Sequence, residues 1–218
     1  MKILAIDTCT EVASVTLYSS NVKTTRVLSD IAKSSGYILK LCDEVFKEVG
    51  NNLQEIDFIS YTKGPGAFTG VRMCVGVVQG LSLSCSIPTL GFSTLELLAF
   101  RASKILKKDK IATAIDARMG EVYWAVYDNG SISNMRICKP ENVDNLGTGF
   151  VGVGSGWKVH NDELIKASQI NHTDSNIYPE STDLIDLSLL AIESGQKATF
   201  DLPQPIYLRN NVAQKSLK

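Results

Sequence analysis

Short apolar, β-branched runs at Lys2–Thr8, Val12–Ser19 and Val22–Ser29 are parted by polar turns, a pattern that predicts an antiparallel three-stranded meander. The period then changes. Ile38, Cys42, Val45, Phe46 and Val49 recur at helical spacing, Lys40, Asp43, Glu44, Lys47 and Glu48 fill the opposite face, and Gly50 marks the stop. Ile56–Tyr61 predicts a strand running into Gly64-Pro65-Gly66, followed by a helix over Phe68 to Cys85. Pro88–Leu90 opens another short strand, and Ser93 is placed to cap a helix over Thr94–Lys104.

Charge rises over Lys104–Lys110, which suggests a junction. Beyond it Ile111–Ile115 and Glu121–Asp128 repeat the strand pattern, Asn129-Gly130 predicts a hairpin turn, and Ser131–Cys138 returns. Two halves that both begin with three strands imply a duplicated α/β architecture: two mixed sheets with flanking helices, divided into residues 1–105 and a smaller 106–218. The second half reads less regularly. It has a Gly-rich stretch at Gly147–Gly156, a helix from Trp157 to Ala167, a polar loop through Pro179, a helix over Asp183 to Lys197, an extended Pro203–Arg209 and a loose tail at Val212–Lys218.

The chain has 218 residues, 44% apolar and 21% charged, enough for globular cores and unlike a disordered segment. Its formal net charge is −1, so no global basic excess exists to grip nucleic acid phosphates. If RNA is involved, another subunit is expected to hold most of it. Five widely spaced cysteines without a C-x-x-C pair argue for buried thiols in a reducing, cytoplasmic setting rather than for disulfides or zinc. The first apolar run is too short for a signal peptide, and Met73–Leu95 is too diluted by Gln79, Pro88, glycines and serines to span a bilayer.

Four segments resemble, in order along nearly the whole chain, the TsaB family, a bacterial branch of the actin/hexokinase/Hsp70-like fold. They are I-D-T-C-T-E at Ile6–Glu11, K-G-P-G-A-F-T-G-V-R at Lys63–Arg72, A-I-D-A-R-M-G-E-V-Y at Ala114–Tyr123 and P-I-Y-L-R at Pro205–Arg209. The resemblance implies a non-catalytic scaffold subunit. Its implied partners are a homologous catalytic subunit, TsaD, and an ATPase, TsaE, in the assembly that places threonylcarbamoyl on the tRNA adenosine next to the anticodon. A homodimer is implied for the isolated chain, and ATP or ADP with Mg²⁺ for the interface of the complex. The catalytic relative carries metal-binding histidines on its first long helix, whereas the matching region here reads K-S-S-G-Y-I-L-K, with Ser34 where the family often has histidine. His160 and His172 are the chain's two histidines, which also weighs against an old metallopeptidase label for the wider family.

Four motifs remain open between ligand binding and architecture. In kinases of this fold the turn at Asp7-Thr8-Cys9-Thr10 holds ATP phosphates and Mg²⁺, and Asp7 with Thr8 or Thr10 offers suitable oxygens. The turn lacks glycine, however, so a capped turn kept by descent explains it as well. Gly64 and Gly66 flank Pro65 before a helix N-terminus, a natural anion site and equally a sharp turn; no Lys-Ser or Lys-Thr follows to make a Walker A loop. Asp116 sits at a strand end, either as a general base or paired with Arg118, and pairing is favoured. Gly152-Val153-Gly154-Ser155-Gly156 reads as a turn more than as a ribose contact, and Trp124 and Trp157 as packing.

The helix over Phe68–Cys85 is apolar around most of its circumference, which predicts burial on nearly all sides. Gly76, Gly80 and Ser84 form a stripe of small residues on it, suited to close approach by a second helix. Together with Arg72, Met73 and Val77 this stripe is the expected partner-binding surface, unless it packs on the helix around Ile38–Val49 in the same chain. The rival function is an ATP-dependent small-molecule kinase using Asp7 for Mg²⁺ and Asp116 as base.

Overall fold

All three strands of the opening meander form: β1 (Ile3–Asp7), β2 (Ala13–Ser19) and β3 (Val22–Leu28). The computed structural model describes residues 1–29 and 37–209, so the readings made for Ser34 and for the tail at 212–218 lie outside the described residues. Helix α1 (Ile38–Val49) ends where Gly50 takes φ +71°, and its N–H donates to the Phe46 carbonyl, the αL cap that glycine adopts without Cβ strain. There follow β4 (Phe58–Thr62), α2 (Phe68–Cys85), β5 (Thr89–Phe92) and α3 (Thr94–Leu106). Ser93 caps α3 as expected, its hydroxyl accepting from the Leu95 N–H.

The second half supplies β6 (Lys110–Asp116), β7 (Val122–Asp128), β8 (Ser131–Cys138), β9 (Val151–Val153), α4 (Gly156–Val159), α5 (Asn161–Ser168), β10 (His172–Asp174) and α6 (Ser181–Glu193). The first sheet runs β3-β2-β1-β4-β5 and the second β8-β7-β6-β9-β10. In each, the first strand is antiparallel to the second, the second to the third, and the first and fourth strands are parallel, as are the fourth and fifth. This is the duplicated actin/hexokinase/Hsp70-like fold.

Strand alternation sends side chains to both faces of each sheet, and each face needs a cover. Leu4, Ile6, Val15, Leu17 and Ile59 meet α1 and α2 through Ile38, Leu41, Val45, Val71, Val75 and Val78. On the opposite face Ile3, Ala5, Phe58 and Leu90 meet Leu97 of α3 together with Leu184 and Ile185 of α6. The second sheet packs one face on α3 through Leu95, Leu98, Ala99 and Ala102, and the other on Trp157 and Leu164 of α4 and α5. Helix α3 therefore belongs to both cores, and α6 crosses back from the second half to cover the first sheet.

That return is fixed by polar contacts as well. The Ser181 N–H donates to Ser14 Oγ at 2.8 Å, and Ser188 Oγ donates to Ser60 Oγ at 2.6 Å. At the rim Asp183 pairs with Arg101 and Lys104 of α3, Asp186 pairs with Lys104 and with Lys23 of β3, and Glu180 pairs with Arg101 at 2.8 Å.

Four expectations are corrected. The Gly-rich stretch contains β9, the central parallel strand of the second sheet, and the polar loop contains β10. Gly152 is required there because a Cβ would lie 2.4 Å from the Trp157 ring, so the glycines that suggest a turn instead admit an indole onto a strand. The helix expected over Trp157–Ala167 breaks at His160 (φ −126°, ψ +36°) into α4 and α5. Finally, α2 buries one face, through Gly70, Val71, Cys74, Val75, Val78 and Ser82, and leaves the other open. By length and composition α2 is apolar enough to cross a membrane, yet its buried face lies on β4 and β1.

The Asp183 side chain is 7% exposed and holds two cations of α3. Replacing it with alanine should destabilise the fold by about 2–3 kcal/mol, somewhat less than a fully buried pair costs because both cations keep access to water. The expected readout is a lower urea midpoint with an unchanged slope.

Candidate functional site

A cleft of about 720 Å³ opens between the two sheets. One wall comes from the β1–β2 turn and the approach to α2, from Cys9–Glu11 and Pro65–Phe68. The other comes from the end of β6, Ile115–Met119, and the C-terminal segment closes one side with Ile206, Tyr207 and Arg209.

The first wall is built by backbone approach. The Ala67 N–H donates to the Cys9 carbonyl at 2.8 Å, and Thr8 Oγ1 donates to the Gly70 carbonyl at 2.7 Å. A Cβ at Gly66 would lie 2.0 Å from the Cys9 oxygen, and one at Gly70 2.1 Å from the Thr8 oxygen. Only glycine lets α2 seat against the turn this closely. Gly64 adopts φ +93° beside the Ile206 carbonyl, and the Gly64–Pro65 peptide is cis.

Among the six residues singled out for nucleotide, Thr10, Gly66 and Asp116 line the cleft, while Asp7, Thr8 and Gly64 stand behind its wall. Asp7 is fully buried. Its Oδ1 accepts from Thr62 Oγ1 at 2.5 Å and from the Cys9 N–H at 3.1 Å, and its Oδ2 has no partner. Burial pushes this carboxyl up to about 6, against the pull of the two hydrogen bonds, and the nearby Glu180 charge adds to the rise. Thr10 Oγ1 is likewise buried without a partner, on the cleft side.

Asp116 accepts from the Arg118 N–H at 3.0 Å and pairs with its guanidinium at 3.1 Å, the favoured structural pairing. His160 Nε2 lies 3.8 Å from Asp116 Oδ1. This neighbour was invisible in the sequence, being 44 positions away on the α4–α5 break that sequence reasoning missed. These donors do not make a Mg²⁺ site: Asp7 offers no oxygen to the cleft, and Asp116 is committed to Arg118. No group of three or more His, Cys, Asp or Glu suited to a metal occurs among the described residues. The glycines at 154 and 156 press on Ala114 of β6, and Trp124 and Trp157 are buried with ring centroids 6.1 Å apart, so this region serves packing.

The six residues expected to meet a partner divide by helical phase. Arg72, Gly76, Gly80 and Ser84 lie on the exposed face of α2, while Met73 and Val77 are half-buried against the first core. A Cβ at Gly76 or Gly80 would meet nothing within 4 Å, so the stripe is open and does not pack on α1. Arg72 stacks 3.5 Å over the Phe68 ring and donates from Nε to the Tyr207 hydroxyl at 3.0 Å. The cysteines are all free, with Cys9, Cys42 and Cys74 buried and Cys85 and Cys138 half-buried.

Two sheets of one topology around a cleft define a two-lobed, actin-like chain, and the family model described as "TsaD: tRNA N6-adenosine threonylcarbamoyltransferase" matches residues 31–197. Within that class the full-length relatives are more specific. An Escherichia coli "tRNA threonylcarbamoyladenosine biosynthesis protein TsaB" is 34% identical over 100% of this chain and 98% of its own. A Haemophilus influenzae protein of the same name is 32% identical over 100% of this chain and 97% of its own. A crystal structure from Pseudomonas aeruginosa, described as similar to the peptidase YeaZ, superposes with a TM-score of 0.87 at 32% identity over 95% of this chain and 99% of that one. The chain belongs to the TsaB family.

The Asp7 carboxyl gives a pH test. Between about pH 4 and 6 the folded chain retains a proton that the unfolded chain has released, so stability falls as pH rises through that window. The loss amounts to as much as about 3 kcal/mol. Asp7→Asn should remove this slope and be more stable than the parent at pH 8 by about 1–3 kcal/mol, with little difference at pH 4. Urea midpoints across this range decide it. A parent more stable than Asp7→Asn at pH 8 would mean that the hydrogen bonds from Thr62 and Cys9 outweigh the cost of burying the charge.

Proposed function

We propose that this chain is a non-catalytic scaffold subunit in the cytoplasmic assembly that adds threonylcarbamoyl to the tRNA adenosine next to the anticodon. In this reading it docks a homologous catalytic subunit of the TsaD type on the outer face of α2, and an ATPase of the TsaE type acts on the pair. One observation carries the docking site: Gly76, Gly80 and Ser84 stand open along α2, and among the described residues nothing lies within 4 Å of a Cβ placed at Gly76 or Gly80. A stripe of this kind admits a partner helix at close range, and the half-buried Met73 and Val77 would flank the contact. In the absence of a partner the same face is the one by which two copies would pair.

The relatives' names supply the process, and the charge supports the division of labour. With a net charge of −1 the chain has little means of holding tRNA alone, so the nucleic acid is assigned to the complex. The kinase alternative has less behind it, because Asp7 is buried behind the cleft wall and Asp116 is paired with Arg118. A nucleotide at the cleft would rely instead on Thr10, on Gly66 and on the uncapped start of α2.

Gly80→Leu tests the docking face. The side chain projects into open space, so the melting temperature should stay within about 2 °C of the parent. Overpacking a tight helix contact should weaken capture of the purified catalytic homologue by roughly 5- to 150-fold, measured by calorimetry or interferometry. Unchanged affinity with unchanged stability would move the interface elsewhere. ATP turnover near 1 s⁻¹ by the lone chain, about the lower bound for kinases, and abolished by Asp7→Ala, would replace the scaffold reading with the kinase one.

A further inference from the structure

The segment from Thr199 to Arg209 has no regular structure of its own, yet it is tied down along its length. Thr199 forms a two-bond antiparallel bridge with Thr89 at the edge of β5, at 2.7 and 3.0 Å. Gln79 Nε2 donates to the Pro203 carbonyl at 2.7 Å, and the Ile206 N–H donates to the Lys63 carbonyl at 2.7 Å. All of these partners belong to the first lobe. The final tie does not. Arg209 crosses to the β6–β7 turn, where Nη2 binds Glu121 Oε2 at 2.5 Å and the Arg118 carbonyl at 3.2 Å, and Nη1 reaches Met119 Sδ at 3.3 Å.

The turn that Arg209 grips is a strained one. Arg118, Met119 and Gly120 hold φ of +61°, +57° and +73°, and two consecutive non-glycine residues in the left-handed region persist only where neighbours fix them. Arg209 and Glu121 are 17% and 33% exposed, shielded enough for their pairing to outweigh an ordinary surface contact. Helix α3 is shared by the cores of both lobes, and no residue of α3 or α6 lines the cleft. Among the described residues, the strap closes the cleft on a side that these helices do not reach.

We propose that residues 199–209 form a latch on the cleft between the lobes, with Arg209 as its catch on Glu121 and the Arg118 carbonyl. Releasing the catch lets the β6–β7 turn relax and the cleft widen while both lobes stay folded. The latch also touches the outer face of α2 through the Arg72–Tyr207 contact, so a molecule seated on that face bears on the cleft. The latch is a property of the chain itself, whatever the cleft or α2 binds.

The test uses the full chain, with Glu121→Lys to repel Arg209 and Glu121→Gln to keep a neutral acceptor for it. By hydrogen exchange, amides at 117–121 and 66–68 should exchange about tenfold faster or more in Glu121→Lys, and by an intermediate amount in Glu121→Gln. Nitroxides on Glu11→Cys and Lys139→Cys, with Cys85 and Cys138 replaced by serine, should report a longer and broader distance distribution in Glu121→Lys. Unchanged exchange at both walls together with an unchanged distance would overturn the latch. So would a uniform rise through β1, β4, β6 and β7, which would make the pair an ordinary stability contact.

Discussion

The architecture depends on the burial of α3 between two sheets. Leu97 faces the first sheet, while Leu95, Leu98, Ala99 and Ala102 face the second, so one helix is apolar on two sides and cannot satisfy either lobe alone. Helix α6 completes that middle layer by returning from the end of the chain to the first sheet, where Leu184 and Ile185 supply apolar contact and Ser181 and Ser188 supply hydrogen bonds. The last third of the sequence is therefore needed to finish the first core. Loops and site geometry inherit their positions from this shared layer.

Around that layer the same strand order is used twice with different outcomes. In the first lobe, the turn after β1 is pressed against α2 by Gly66 and Gly70, and the contact is so close that Asp7 and Thr8 are withdrawn from the cleft wall. In the second, the corresponding strand ends in Asp116, which remains on the cleft wall but is held by Arg118. The cleft is consequently lined by apolar and aromatic side chains with guanidinium groups at its margin, and the buried carboxyl of Asp7 is held nearer neutrality than an exposed one.

Much of the fold was legible in the sequence because its signals are local. The three-stranded openings, the Gly50 stop, the Ser93 cap and the Asn129-Gly130 hairpin depend on residues within a few positions of one another. The misses depend on distant partners. Val151-Gly152-Val153 reads as a loop until it is seen paired with Ile111–Thr113 of β6, and His172-Thr173-Asp174 has no strand signal apart from its pairing with β9. Composition alone suggested that α2 is buried all round, since Gly and Ser count as small and apolar on either face; only the sheet decides which face is covered. At the site, the motifs marked the right turns, but which oxygens face the cleft follows from close backbone approach. The ion pair between Arg209 and Glu121 links segments 88 positions apart.

The bridge between Thr199 and Thr89 has a consequence for solution behaviour. Strand β5 is an edge of the first sheet, and an uncovered edge is a template for pairing with other chains. At the opposite edge β3 carries Lys23 and Arg26, charges of the kind that discourage intermolecular strand addition. At β5 the protein uses its own backbone, with two hydrogen bonds from Thr199 occupying the groups another strand would seek. A chain cut back to residue 198 would keep its helices and most of its apolar contacts, but would expose a bare β5 edge, and colloidal solubility would fail before folding does.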